Sequence, residues 1–191
     1  MFLTLWDHAA FPVQWSVVFG ASLIGAVTDL GSGRIPNWLT FPILIGGLVW
    51  AGCLGGLAGL GDALAGCLLL ATPYVLLFVF GGGGAGDAKL MGAMGAWLGV
   101  VNGAVALVAV TASGLILAVG FALAKRRLRP ALANLSRMAA TALVFVCARG
   151  RSAEYSSLLA STGEMQTIPY GVGIFVGVCL AAGGTFAWRA I

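Results

Sequence analysis

Long stretches without a charged residue are the feature that most limits how this chain can fold. Its ten Lys and Arg and six Asp and Glu leave five such stretches, at residues 8–28, 35–61, 63–86, 90–124 and 165–188. A helix needs about 20 apolar residues to cross the hydrocarbon core of a bilayer. With 60% hydrophobic and 8% charged residues, the chain is too apolar for an ordinary soluble domain. We therefore expect an all-α polytopic membrane protein.

The stretch 90–124 is too long for a single span. Its 35 residues would form a helix of about 50 Å at about 1.5 Å per residue. The sequence Gly99-Val100-Val101-Asn102-Gly103 lies inside it and is typical of a turn. Splitting the stretch there predicts helices near 87–101 and 103–124, and a further turn is expected at 57–62. The result is about six transmembrane helices in a single integral-membrane domain, residues 1–191.

The basic residues predict how these helices are oriented. Lys and Arg flank transmembrane helices mainly on the cytoplasmic side, and the densest cluster lies at residues 125–137. Counting spans back from this cluster places Arg34 and Lys89 on the same cytoplasmic side and the N-terminus outside. The inner basic loop is predicted at about 125–167. Within it, residues 138–148 are apolar but short for a span, which favours an interfacial helix.

Asp29 and Asp87 are the two acids that this topology places together, each where an apolar span meets an inner loop. Ionisable residues in such positions are functional candidates by default. Two neighbouring carboxylates cannot both ionise at low cost, so one holds a proton and the pair can activate water. This chemistry needs no metal. The alternative is that each acid caps a helix end or balances a nearby base.

The segments around the two acids favour the catalytic interpretation. Asp29 begins the sequence Asp-Leu-Gly-Ser-Gly-Arg-Ile-Pro-Asn, whose Pro36 and Asn37 are expected to start the next helix. Asp87 follows the glycine-rich run 81–86, where missing Cβ atoms allow an extended peptide to approach closely. Non-helical backbone at membrane depth is tolerated only where protein buries it or water reaches it. An intramembrane hydrolase requires such a segment of non-helical backbone that water can reach.

These segments resemble the signatures of a known family. Asp29 with Arg34-Ile35-Pro36-Asn37, and Gly84-Ala85-Gly86-Asp87-Ala88-Lys89, resemble the two active-site motifs of the type IV prepilin peptidases, which are G-x-G-D membrane aspartyl proteases. Ile168-Pro169-Tyr170-Gly171-Val172-Gly173 is similar to the Pro-Tyr-Gly segment of the small prepilin peptidases of the Tad/Flp pilus systems.

The resemblance implies that Asp29 and Asp87 are the catalytic pair of a peptidase that removes the leader of a prepilin or pseudopilin. Cleavage is expected at the cytoplasmic face of the bacterial inner membrane. Further substrate-binding or site-shaping residues follow from the same motifs: Gly84, Gly86, Lys89, Arg34, Pro36, Asn37, Pro169 and Gly171. Besides the substrate, the expected partners are membrane lipid and the pilus assembly machinery. We expect no cofactor, no metal and no nucleic acid.

Larger members of that family also carry an N-methyltransferase activity and a cytoplasmic loop with paired C-x-x-C motifs. This sequence has neither that loop nor that cysteine spacing, so we expect cleavage without methylation. The alternative function is a transporter or a non-catalytic membrane assembly subunit, in which the two carboxylates would relay protons.

Other residues have simpler structural interpretations. Gly95 and Gly99 form a G-x-x-x-G pair, and Ala88, Gly92 and Ala96 form a stripe of small residues, a pattern that lets helices approach closely. Asp62 follows a glycine at an outer turn. We expect it to cap the third predicted helix, which begins just after it.

Overall fold

The computed structural model describes residues 10–81, 84–124 and 170–190. These ranges form four α-helices and no β-strand: α1 (Ala10–Ser32), α2 (Asn37–Gly81), α3 (Ala85–Ala124) and α4 (Tyr170–Ala190). By length and composition, each of the four could cross a membrane. The predicted all-α fold with several apolar helices is therefore confirmed for this part of the chain. The predicted basic loop 125–167, with its segment 138–148, lies outside the described residues, as does Pro169.

Helix α2 folds back on itself at Gly56. A straight helix of its 45 residues would be about 68 Å long. Gly56 instead has φ 57° and ψ −142°, a conformation that favours glycine. A Cβ built on Gly59 would lie 3.2 Å from the carbonyl carbon of Ala51, although eight residues along a straight helix span about 12 Å. The chain reversal expected at 57–62 is thus present, but the break lies at Gly56, and residues 57–62 are themselves helical.

Helix α3 folds back at Gly99, which has φ 67° and ψ −168°. Residues on both sides of this break pack on the second half of α2. A Cβ on Gly95 would lie 2.7 Å from the carbonyl carbon of Gly66, and one on Gly103 would lie 2.9 Å from Cδ1 of Leu70. The predicted turn inside 90–124 is confirmed at Gly99. The break therefore lies three residues before residue 102, which separated the two predicted helices.

The described chain therefore runs as α1, two halves of α2, two halves of α3, and α4. Both ends of α2 and the start of α3 lie at one end of the bundle, while Gly56 and Gly99 lie at the opposite end. The bounds of these segments come from helix geometry, which does not say how many times the chain crosses a bilayer. The number of about six spans accordingly stays a prediction.

Small residues bring the halves of α2 and α3 into backbone contact. A Cβ on Gly92 would lie 3.7 Å from the carbonyl oxygen of Cys67, and one on Gly47 would lie 3.0 Å from the carbonyl carbon of Ala96. Stripes of small residues permit such close approach between membrane helices. Close packing matters there because lipid tails are as apolar as the side chains, so no hydrophobic driving force joins the helices. The packing role predicted for Gly92 and Ala96 is confirmed.

The buried core lies where one face of α1 meets α3 and α4. Phe11, Trp15 and Val18 line that face at helical spacing and are almost fully buried. They join a cluster to which α2 contributes Leu39 and Leu70, and to which α3 and α4 contribute Leu90, Met91, Met94, Leu98, Val110, Ile174 and Val178. The outward faces carry exposed large apolar side chains such as Val27 and Leu30, at 61% and 63% exposure. This distribution suits a lipid surrounding.

Asp62 caps a helix, but a different one from that expected. It lies inside the second half of α2, and its Oδ1 accepts a hydrogen bond from the Val100 N–H at 3.2 Å. Val100 is the residue after the break at Gly99, so Asp62 satisfies a free N–H at the start of the second half of α3. The expectation was wrong about the helix because the partner is 38 positions away in the chain.

Candidate active site

Helix α1 ends one turn after Asp29. Gly33 has φ 62°, and its N–H donates to the Asp29 carbonyl at 2.8 Å. A left-handed glycine at this position is a common helix stop because other residues pay a steric penalty there. The chain then passes through a short linker, residues 33–36, and enters α2 at Asn37.

The linker packs directly on the first turn of α3. Ile35 is buried, with 8% of its surface exposed. A Cβ built on Gly86 would lie 2.9 Å from the Ile35 Cβ and 3.3 Å from its backbone nitrogen. Only glycine leaves room for this approach. Gly86 therefore brings Asp87, its neighbour in α3, next to the end of α1.

Gly84 makes space for the Asp87 side chain. A Cβ on Gly84 would lie 2.8 Å from Oδ2 of Asp87. The Asp87 N–H donates to the Gly84 carbonyl at 3.1 Å, which starts the helix. Neither Gly84 nor Gly86 has a positive φ, so the missing Cβ atoms serve close approach within the protein itself.

The structure brings Asp29 and Asp87 together at this end of the bundle. Asp29 lies in the last turn of α1 and Asp87 in the first turn of α3. Both are half-buried, and they lie close enough for their charges to interact. Beside them, a Cβ on Gly25 would lie 2.7 Å from Cδ2 of Leu90. This contact seals α1 against α3 one turn below the two acids.

Helix α4 reaches the same place from the other side. The Gly171 N–H donates to Oδ2 of Asp29 at 2.8 Å. A Cβ on Gly171 would lie 2.9 Å from the Asp29 Cβ and 3.1 Å from the Cα of Ala26. Gly171 is the second residue of α4, so its N–H is one of those that a helix N-terminus leaves without an intrahelical acceptor.

The remaining predicted site residues lie around the α1–α2 junction. The Lys89 ammonium donates to Oδ1 of Asn37 at 3.0 Å, linking the starts of α2 and α3. Pro36 is half-buried, and its carbonyl accepts from the Leu39 N–H at 3.2 Å. Arg34 is exposed at the same end of the bundle.

Two tyrosines close to Asp87 were not predicted as site residues. Tyr170, the first residue of α4, is 43% exposed, and its phenol lies within electrostatic range of Asp87. Tyr74 in α2 is half-buried, shares a hydrogen bond with Thr111 and also interacts with Asp87. The sequence did carry one signal for them: a phenol inside an apolar stretch needs a polar partner.

Within the described ranges, the polar groups around the two acids are carboxyl groups, phenols, amide groups and the ammonium of a lysine. In those ranges no group of three or more His, Cys, Asp or Glu could hold a metal ion. The expectation that the site works without metal or cofactor stays a prediction.

The described helices are apolar and long enough to span a membrane, and two carboxyl groups interact at one end of their bundle. The class is therefore a polytopic helical protein with a carboxylate-pair site. A family model, that of the type IV leader peptidase family, matches residues 16–119. The chain belongs to this family. The matched region includes Asp29 and Asp87 and extends over most of α1, all of α2 and most of α3.

Individual relatives agree with this assignment. A segment of 78 residues is 46% identical to the prepilin leader peptidase/N-methyltransferase of Aeromonas hydrophila, covering 37% of this chain and 27% of that protein. The protein of the same description from Aeromonas salmonicida (strain A449) is also 46% identical over 78 residues, 26% of its length. The chain thus spans about a quarter of the length of these relatives. No solved structure matches significantly.

Proposed function

We propose that this protein is an aspartic endopeptidase that removes the leader peptide of type IV prepilins or pseudopilins, of the Tad/Flp kind. The observation that carries the proposal is the meeting of Asp29 and Asp87 at one end of the bundle, where their charges interact. Membership of the type IV leader peptidase family supports it. The Tad/Flp class rests on the resemblance of the segment Pro169-Tyr170-Gly171.

The chemistry follows from two carboxyl groups in different protonation states. The ionised carboxylate accepts a proton from water while the water oxygen attacks the scissile carbonyl carbon. The protonated carboxyl donates to the carbonyl oxygen, on which negative charge develops. Both groups act within hydrogen-bond distance of the substrate, so the end of α1 and the start of α3 have to hold them near one another.

The bundle end that carries the acids suits a substrate cut beside its hydrophobic helix. Asp29 and Asp87 lie at helix ends, where water can reach the scissile bond while the apolar part of the substrate stays in lipid. Arg34 and Lys89 are exposed at the same end. Because basic residues flank spans on the cytoplasmic side, we place this site at the cytoplasmic face of the inner membrane. Membrane lipid and the pilus assembly machinery are the further proposed partners.

The test is co-expression with a candidate pilin precursor encoded nearby, with leader removal followed by mass. We expect cleavage by the wild type and by Asp62→Asn, a matched acid substitution at the opposite end of the bundle. Neither Asp29→Asn nor Asp87→Asn should cleave, although both should insert. Cleavage by either of these two variants contradicts the two-aspartate mechanism. No cleavage by the wild type, with precursor and enzyme both inserted, contradicts the peptidase proposal and favours a transporter or a non-catalytic assembly subunit.

A further inference from the structure

The two carboxyl groups of the site have different surroundings. Oδ2 of Asp29 accepts the Gly171 N–H at 2.8 Å, at the N-terminus of the 21-residue helix α4. Within the described ranges, the Asp87 carboxyl group accepts no hydrogen bond, and its neighbours are the phenols of Tyr74 and Tyr170. The site is therefore asymmetric before any substrate binds.

The contact between Gly171 and Asp29 is held in place by the packing of α4. Glycine at position 171 lets the backbone come within contact distance of the Asp29 side chain and of Ala26. Half a turn further along, the Gly173 carbonyl accepts the buried Ser113 hydroxyl at 2.7 Å. A Cβ on Gly173 would lie 3.3 Å from the Cα of Gly114. Helix α4 is thereby fixed against α3, and its N-terminus is fixed against Asp29.

An N–H donated to a carboxylate stabilises negative charge, and so does the positive end of a helix dipole. A carboxyl group that lacks such donors and faces a second negative charge retains its proton. We infer that Asp29 is the ionised base of the pair, that Asp87 is the acid, and that the Gly171 backbone N–H positions Asp29 for this role. The inference rests on the proposed peptidase function.

The reaction then balances without a further reactant. Water adds its oxygen to the scissile carbonyl carbon and gives a proton to Asp29, while Asp87 gives its proton to the carbonyl oxygen, forming a gem-diol. The leaving nitrogen next takes the proton from Asp29, and a gem-diol hydroxyl returns a proton to Asp87 as the C–N bond breaks. The products are a carboxylic acid and an amine, and both aspartates regain their starting states.

Several other ionisable groups lie at the same end of the bundle as the pair and have to be considered in any pH dependence. In the described ranges these are Tyr74 of α2, Lys89 of α3, Tyr170 of α4 and Arg34 of the linker. Lys89 donates to Asn37, and Arg34 is exposed. None of these four groups is a carboxyl group, the type that ordinarily ionises on the acidic side of neutral pH. The acidic limb of the pH profile therefore reports the carboxyl pair.

The test compares Gly171→Pro with Gly171→Ala in the full chain. Both substitutions add a Cβ toward Asp29, but only proline removes the N–H, and the first turn of a helix tolerates proline. We expect Gly171→Ala to lower kcat/KM for leader cleavage and to leave the acidic limb at its wild-type pH. Gly171→Pro should move that limb to higher pH by about one unit, because the ionised form of Asp29 loses a donor. Identical limbs in the two variants overturn the inference.

A second substitution covers the case in which Gly171→Pro does not insert. Glycolic acid incorporated at position 171 replaces the N–H by an ester oxygen and adds no Cβ. The same upward movement of the acidic limb is expected, and an unmoved limb overturns the assignment. A wild type that does not cleave contradicts the proposed function, whereas cleavage with an unmoved limb contradicts only the role assigned to Gly171 and Asp29.

Discussion

Gly86 lies directly against Ile35, so close that a Cβ on the glycine would lie 2.9 Å from the Cβ of the isoleucine. Ile35 belongs to the linker that follows Asp29, and Gly86 immediately precedes Asp87. The contact therefore sets how near the end of α1 lies to the start of α3. The relative position of the two acids depends on it.

Replacing Gly86 by alanine should reduce leader cleavage by about tenfold or more. The added methyl group has to push the linker away, and overpacking of this kind typically costs about 1–3 kcal/mol. Gly31→Ala is the matched control at the same end of the bundle, since a Cβ there meets nothing within 4 Å. Initial rates of leader removal at equal amounts of inserted protein measure the effect. Equal rates in the two variants would mean that the Gly86–Ile35 contact does not position the acids.

The Lys89–Asn37 hydrogen bond should act as a single unit. Lys89→Met and Asn37→Leu should each lower cleavage by a few-fold, because an exposed polar link stabilises by about 1 kcal/mol or less. The double variant should be no worse than either single variant, since the second change removes a partner already lost. A double-mutant cycle on kcat/KM measures this. Additive effects would instead indicate that Lys89 and Asn37 act separately, for example each on substrate.

Asp62→Ala should destabilise the fold by about 1 kcal/mol, because the Val100 N–H loses its cap. Asp62→Asn keeps an oxygen acceptor and should lose only part of this stability. Thermal unfolding in detergent compares the two variants. Cleavage per folded molecule should stay at the wild-type level in both. Complete loss of cleavage in folded Asp62→Ala would place a third acid in the chemistry.

Gly95→Ala should lower the unfolding temperature markedly. Its Cβ would lie 2.7 Å from the carbonyl carbon of Gly66 and 3.0 Å from the Cα of Cys67. Both atoms are backbone, so the helices themselves have to separate, at a cost of about 1–3 kcal/mol. The control is Gly52→Ala in the first half of α2, where a Cβ meets nothing within 4 Å. An unchanged unfolding temperature for Gly95→Ala would show that the two helices are not held by this contact.

Much of the site could be predicted from sequence because its residues lie in short local motifs. Asp29 and Asp87 are conspicuous as acids at the ends of apolar stretches, and the structure brings them together, while their catalytic role remains a proposal. Gly86 was predicted as a site-shaping residue, but its partner Ile35 was not. Tyr74 was missed because nothing along the chain indicates that it faces Asp87.

The sequence was enough to predict a helical membrane-type fold, a break within residues 90–124 and the two candidate acids. These follow from the length of apolar stretches, from glycine and from charge, all of which are properties of local sequence. The three-dimensional arrangement of the helices was needed to find that Asp62 caps Val100 and that Gly171 donates to Asp29 across 142 positions of the chain. Such contacts depend on how the helices pack, and packing is set by the fit of many side chains at once. The different surroundings of the Asp29 and Asp87 carboxyl groups also result from this packing.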